Sequence, residues 1–208
     1  MKILLFGATG TTGKLILEYL LHNNQEVTCF VRNPDKLSIK NTLLTVVKGS
    51  VLDQAAIEQA LHGKELVISA LGKKPTWSDT SMSQATDCIV QAMEKTGTKR
   101  MIMISTLGIK ETKGMMGFFF TYVLQSVLLK NNFSEKEKQE AILQNSNINW
   151  IAVRPSLLTN GTRTGKYKEG FPAGEKINPK ISRADVADFI VKNVLTTTYN
   201  KVAVNLSY

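Results

Sequence analysis

The stretch that most restricts how this chain folds is Gly7-Ala8-Thr9-Gly10-Thr11-Thr12-Gly13. It lies directly between a continuous apolar run, Lys2 to Phe6, and a helical pattern from about Thr12 with Leu15, Ile16, Tyr19 and Leu20 on one stripe. A short apolar run ended by glycine reads as a strand buried on both faces, so the glycines mark a tight strand-to-helix turn. Glycine lets the backbone make that turn and lets an anion approach main-chain N–H groups, where the positive end of the helix dipole favours negative charge. The hydroxyls of Thr9, Thr11 and Thr12 add donors. The spacing is GxxGxxG, not GxGxxG, and a purely structural turn is the alternative reading; the strand before and the helix after favour a cradle for linked phosphates.

The same rhythm continues along the chain. Glu26 to Val31, Leu43 to Val47, Leu66 to Ala70, Met101 to Ile104 and Ile148 to Val153 read as further strands, with a last one near Val202 to Val204. Helices fall between them. Asp53 caps one through Leu61, Asp79 to Thr96 forms a long one closed by Gly97, and one or two more run to about Gln144. Ser182 opens the last, with Asp185 three residues on completing a capping box. Strands alternating with helices predict an α/β, doubly wound Rossmann-type fold: a mostly parallel sheet with helices on both faces, in a single domain over 1–208. The region from Asn160 to Lys180, rich in Gly, Thr and Pro, is expected to form a loop-built cover over a ligand.

Composition narrows the function classes. With 43% hydrophobic and 21% charged residues the chain is neither disordered nor fibrous. Cys29 and Cys88 form no C-x-x-C spacing, and His22 and His62 have no neighbours at metal-ligand spacing, so no metal is expected. A reduced, cytoplasmic setting fits best. The N-terminal run is too short for a signal peptide, and the stretch Met115 to Leu129 falls short of the roughly 20 residues a membrane span requires. A net charge of +9 would attract polyanions, but the lysines are scattered and no nucleic-acid-binding pattern accompanies them. Nucleic acid is therefore not an expected partner; a small phosphate-bearing ligand is.

The second strand ends in Val31-Arg32-Asn33, where an NAD-preferring fold carries an acid for the ribose 2′-hydroxyl. Arg32 suits a 2′-phosphate instead, through a fork of charge-assisted hydrogen bonds, which favours NADPH; the alternative is an exposed arginine at a strand end. Lys36 and the pair Lys73-Lys74 are possible helpers.

These residues resemble the atypical short-chain dehydrogenase/reductases, in their NmrA-like NAD(P)-binding branch, and within it the biliverdin-IXβ reductase (flavin reductase) family. The resemblance runs nearly end to end. It is carried by GATGTTG at 7–13, Val31-Arg32, Gly49-Ser50-Val51-Leu52, Leu71-Gly72, Ser105, Ala152-Val153-Arg154-Pro155-Ser156, Thr164-Gly165-Lys166-Tyr167 and Ile181-Ser182-Arg183-Ala184-Asp185. It implies that Gly7, Thr9, Gly10, Thr11, Thr12 and Gly13 meet the pyrophosphate, and that Ser50 and Val51 lie by the adenine. It also implies that Ala70, Leu71 and Gly72 pass the pyrophosphate and ribose, and that Pro155, Ser156 and Leu157 hold the nicotinamide. Ser50 replaces the aspartate usual in the family, and Leu157 replaces a histidine found beside the substrate.

Typical short-chain dehydrogenases use Tyr-x-x-x-Lys, the lysine lowering the tyrosine pKa. Here Lys136 falls on the expected helix, but Asn132 stands four residues before it. Hydride transfer to a flavin or bilin asks less of the protein, because the conjugated acceptor takes up the charge. Ser105 is expected to orient nicotinamide or acceptor, or else merely to end a strand; Lys136 holds the nicotinamide ribose or is a solvated helix lysine. Met115, Met116, Phe118, Phe119 and Phe120 form an apolar patch suited to a flat acceptor, to core packing or to a dimer contact. The expectation is an NADPH-dependent reductase of a small planar redox substrate, monomeric or homodimeric. The alternative is a non-catalytic NADP(H) sensor of the NmrA type acting through a protein partner.

Overall fold

Apolar side chains along the central strands alternate between two faces, and both faces are covered. The computed structural model describes residues 1–72, 81–115, 130–196 and 198–208. Its main sheet holds β1 (Lys2–Phe6), β2 (Glu26–Val31), β3 (Leu44–Lys48), β4 (Leu66–Ser69), β5 (Arg100–Ile104), β6 (Asn149–Pro155), β8 (Lys168–Glu169) and β10 (Val202–Ser207). Between β6 and β8 lies β7 (Leu157–Thr159), which pairs with β9 (Lys180–Ser182) in a small separate sheet. The main order is β3-β2-β1-β4-β5-β6-β10-β8, parallel except for the last pair. Chain direction reverses its lateral progress between β1 and β4, which makes the crevice there the expected ligand site of a doubly wound sheet.

Among the described residues five helices cover the sheet: α1 (Thr11–His22), α2 (Gln54–Leu61), α3 (Ser81–Thr96), α4 (Lys130–Gln144) and α5 (Arg183–Val194). Ile3 and Leu5 of β1 point into one core with Ile16 and Leu20 of α1 and Phe189 and Ile190 of α5. Leu4 and Phe6 point the other way, to Ile57 of α2, Ile89 and Met93 of α3 and Leu143 of α4. Each such side chain, fully buried, contributes about 1.5–3 kcal/mol, which is why these strands read as unbroken apolar runs.

Two predicted caps form. The Asp53 carboxylate accepts from Ala56 N–H at 3.1 Å at the start of α2, and the Ser182 hydroxyl accepts from Asp185 N–H at 2.9 Å at the start of α5. The second is only half a capping box. The Ser182 N–H goes to the hydroxyl of Tyr208 instead, because the Asp185 carboxylate is committed to a distant loop. The last strand is longer than predicted, reaching Ser207; β8 arises inside the expected loop from Asn160 to Lys180, and β7 and β9 form at its two ends.

The first turn is the tightest point of the frame. Gly7 has φ of +80°, and a Cβ there would lie 2.4 Å from the Ala70 carbonyl oxygen; a Cβ on Gly13 would lie 2.1 Å from that of Gly7. Gly13→Ala therefore forces backbone apart where neither side is a flexible side chain. The variant should lose about 1–3 kcal/mol, read in urea as a lower unfolding midpoint at unchanged slope.

Candidate active site

At the carboxyl ends of β1 and β4 the backbone turns touch. Ala70 N–H donates to the Phe6 carbonyl at 3.0 Å, and Gly10 N–H to that of Gly7 at 3.0 Å. Gly10 is the N-cap of α1; no side chain caps it and no acidic residue stands in the first turn. The opening N–H groups of the helix thus face outward with the positive dipole end and without a carboxylate to compete for them. Gly10 and Thr11 are exposed, and Thr9 and Thr12 half-buried, beside this turn. Leu71 is half-buried and Gly72 exposed on the β4 side. The shape and charge suit linked phosphates, and a β-carbon at position 7 or 13 would destroy them.

Arg32 directly follows β2 and is exposed, one strand away from the turn. Ser50 is exposed and its hydroxyl accepts from Leu52 N–H at 3.3 Å; Val51 packs against the core shared by α2, α3 and α4. Lys73 and Lys74 lie outside the described residues.

Beyond β4 the structure brings together Ser105, Lys136 and two residues that sequence reasoning left without a role. Lys136 is not a solvated lysine: its ammonium donates to the carbonyls of Ile104 at 2.7 Å and Leu71 at 3.4 Å, bridging the ends of β5 and β4. Burial, only partly offset by the charge of Glu140, pushes its pKa down to about 8. One helical turn on, Glu140 accepts from the Ser105 hydroxyl at 2.5 Å and from Arg154 Nε and Nη2 at 2.9 and 2.6 Å. Arg154 also bonds Glu111 through Nη1. Ser105, Glu140 and Arg154 are all buried. The sequence does contain the signal. In β5, Met101 and Met103 face α4, so Ser105 does too; in β6, Trp150 and Ala152 share that face, and so does Arg154. The register pairs Ile104 with Val153, which brings the following two residues side by side.

Pro155 ends β6, and its carbonyl accepts from Leu107 N–H at 2.9 Å. Ser156 is buried with its N–H on the Leu206 carbonyl and its hydroxyl hydrogen-bonded to that of Ser207, while Leu157 is 52% exposed. The expected loop cover is largely tied down. Asp185 accepts from the N–H groups of Thr164 and Gly165, both at 2.8 Å, and from Tyr208 at 2.6 Å. Asp188 pairs with Arg163 and accepts from Tyr167. Residues 163–167 thus lie along α5, with Arg163 over the ring of Tyr19 on α1, rather than over the crevice. Nearer Arg154, a groove of about 550 Å³ opens between Glu111, Lys113 and Met115 on one side and Glu175, Lys176 and Ile177 on the other. Met115 and Ile177 pack there with Leu107 and Phe171. Met116 and Phe118 to Phe120 lie outside the described residues. Among the described residues no group of His, Cys, Asp or Glu is placed to hold a metal ion, and no helix is long and apolar enough to cross a membrane.

A family model described as NAD(P)H-binding matches residues 7–197. The UPF0659 protein YMR090W of Saccharomyces cerevisiae is 26% identical over 206 residues, covering 94% of this chain and 87% of the yeast protein. Other curated relatives are matched over less of their length, 49% of one and 34% of another. ChuY, an anaerobilin reductase of Escherichia coli O157:H7, is similar in structure with a TM-score of 0.84 at 24% identity, covering 100% of this chain and 97% of that one. A short-chain dehydrogenase/reductase of Veillonella parvula in complex with NADP gives 0.81 at 20% identity, covering 100% and 94%. At these identities the structural likeness is one of fold.

The buried ammonium has a measurable consequence. Between about pH 8 and the ordinary lysine value of 10.5, unfolded Lys136 keeps a proton that the folded form has released, so its contribution to stability rises with pH. Cys29, raised by burial to about 12, works in the opposite direction above pH 9. Subtracting the pH–stability profile of Lys136→Met from that of the parent isolates the lysine. The difference should climb across that window with a slope of up to about one proton, measured by urea denaturation. A flat difference would place the ammonium in water.

Proposed function

This chain belongs to the NAD(P)H-binding family whose model spans residues 7–197, and from that premise we propose that it is an NADPH-dependent oxidoreductase passing hydride to a flavin, bilin, quinone or similar planar acceptor. The observation that carries the reading is the uncapped, acid-free start of α1 behind the Gly7–Gly13 turn, with the cation of Arg32 one strand away. Gly7, Gly10, Gly13 and the hydroxyls of Thr9, Thr11 and Thr12 hold the pyrophosphate. Arg32 takes the 2′-phosphate in a forked contact, a position where a carboxylate would repel it. Ser50 and Val51 flank the adenine; Ala70, Leu71 and Gly72 line the path to the nicotinamide ribose, which Lys136 holds. Ser105 orients the nicotinamide end, bounded on its far side by Pro155, Ser156 and Leu157.

NADPH, when bound, supplies the hydride. The chain's own residues position donor and acceptor, and Asn132 one turn before Lys136 leaves no phenol there to protonate a simple carbonyl. A planar conjugated acceptor needs no such group. The anaerobilin reductase among the structural neighbours supports that acceptor class. So does the partly apolar groove with Met115 and Ile177 beside Arg154 and Glu111.

The test is to titrate NADPH and NADH separately and then to follow NADPH oxidation on adding FMN, riboflavin, biliverdin or a quinone. Tighter NADPH binding with turnover of at least one acceptor is the expected result. Tight binding with no turnover, together with a co-purifying protein, would favour the redox-sensor reading; no nucleotide binding would overturn both. Arg32→Asp should weaken NADPH binding by roughly 10-fold or more, the range expected for losing a charge-assisted hydrogen bond and adding repulsion, and shift preference toward NADH.

A further inference from the structure

The hydroxyl of Ser105 has one hydrogen, and the structure accounts for it. Glu140 lies 2.5 Å from Ser105 Oγ and receives two further hydrogen bonds from one buried guanidinium, that of Arg154, in a forked geometry. Lys110 adds a second cation 3.7 Å from Glu140 Oε2. A carboxylate held this way is ionised and accepts only, so Ser105 must be the donor between them. What remains for any ligand is the pair of oxygen lone pairs.

Ser105 also stands where the reactive end of a dinucleotide would fall. β5 is two strands from β1, about 10 Å at the usual spacing, which is the reach of one ribose and one ring beyond a pyrophosphate at Gly7–Gly13. Lys136 bridges the ends of β4 and β5 through Leu71 and Ile104. We infer that Glu140, seated on Arg154, is a positioning residue that fixes Ser105 as a hydrogen-bond acceptor, and that the group Ser105 recognises is the N–H of the nicotinamide carboxamide rather than a carbonyl oxygen. The inference rests on the dinucleotide reading above and adds the polarity of the contact. A serine that donated would bind carbonyl groups; this one is turned the other way.

The experiment compares three probes on the full chain by calorimetry. They are NADP⁺, its 3-acetylpyridine analogue, in which a methyl replaces the amide nitrogen and its hydrogens, and 2′-phospho-ADP-ribose, which lacks the nicotinamide. NADP⁺ should bind roughly five- to tenfold more tightly than the analogue, the ratio one neutral hydrogen bond provides. Ser105→Ala should bring the two together by weakening NADP⁺ alone, with 2′-phospho-ADP-ribose unmoved; damage to the fold would weaken all three. In Glu140→Leu no acceptor faces Ser105, the hydroxyl hydrogen is released toward the ligand, and the ratio should fall through tighter binding of the ketone analogue. If that variant does not fold, the Ser105→Ala comparison decides. Equal affinities in the parent, or a ratio that survives either substitution, would overturn the inference while leaving the dinucleotide site intact. Failure of all three probes to bind would overturn the dinucleotide reading and this inference with it.

Discussion

The carbonyl oxygen of Gly7 occupies the space that a β-carbon on residue 13 would need, 2.1 Å away. That single approach fixes how α1 leaves β1. The helix starts hard against the end of its strand, its first N–H groups open toward the crevice between β1 and β4, and no side chain intervenes. Gly7 makes a second contact of the same kind with the backbone of Ala70, so the ends of β1 and β4 are locked into one surface. Such an edge requires backbone, not side chains, to come close, which only glycine permits on both sides of the turn.

From that edge outward, strand parity decides which residues can meet. Each central strand is buried on both faces, and a step of one residue moves a side chain to the other layer. Ser105 and Arg154 share the face of Met103 and Ala152, under α4, and β5 and β6 are paired in register up to Ile104 and Val153. On α4, Lys136 and Glu140 are four residues apart and so lie on one stripe. The cation goes to the ends of β4 and β5, and the carboxylate to Ser105 and Arg154. One helix face thus supplies opposite charges to two neighbouring points of the same edge.

Much of this was legible before any coordinates. The six leading strands, the glycine turn between β1 and α1, the Asp53 cap and the Ser182 cap all depend on residues close together in sequence, where pattern and turn chemistry act directly. What was not legible depends on long-range polar contacts. The stretch after Asn160 carries the Gly, Thr and Pro of a loop-built cover, yet Asp185 and Asp188, some twenty residues later, hold Thr164, Gly165 and Tyr167 against α5. Burial alone would raise the Asp185 carboxyl, but the hydrogen bonds from Tyr208, Gly165 and Thr164 together hold it below its ordinary value, so it stays an acceptor for all of them. The same commitment explains why the capping box is half made. Lys136 shows the converse: on a helix with little apolar patterning the sequence leaves a ribose contact and a solvated lysine equally open, and only the converging ends of β4 and β5 turn the side chain inward.

The Glu140–Arg154 pair is the part of this site hardest to justify by stability. Both side chains are almost completely buried, and removing two charges from water costs several kcal/mol each, which their attraction repays only when the geometry is forked and the remaining lone pairs are used. Apolar residues at 140 and 154 would extend the layer of Leu143, Trp150 and Ala152 at no such cost. The chain instead places a guanidinium beside Ser105 at the end of β5 and a carboxylate between them. On the inference drawn above, that arrangement makes sense as orientation: a neutral core would leave the Ser105 hydroxyl free to rotate, whereas a pinned carboxylate gives it one direction. Rotamer freedom would then be removed from the contact before a ligand arrives, and the binding step would not have to remove it.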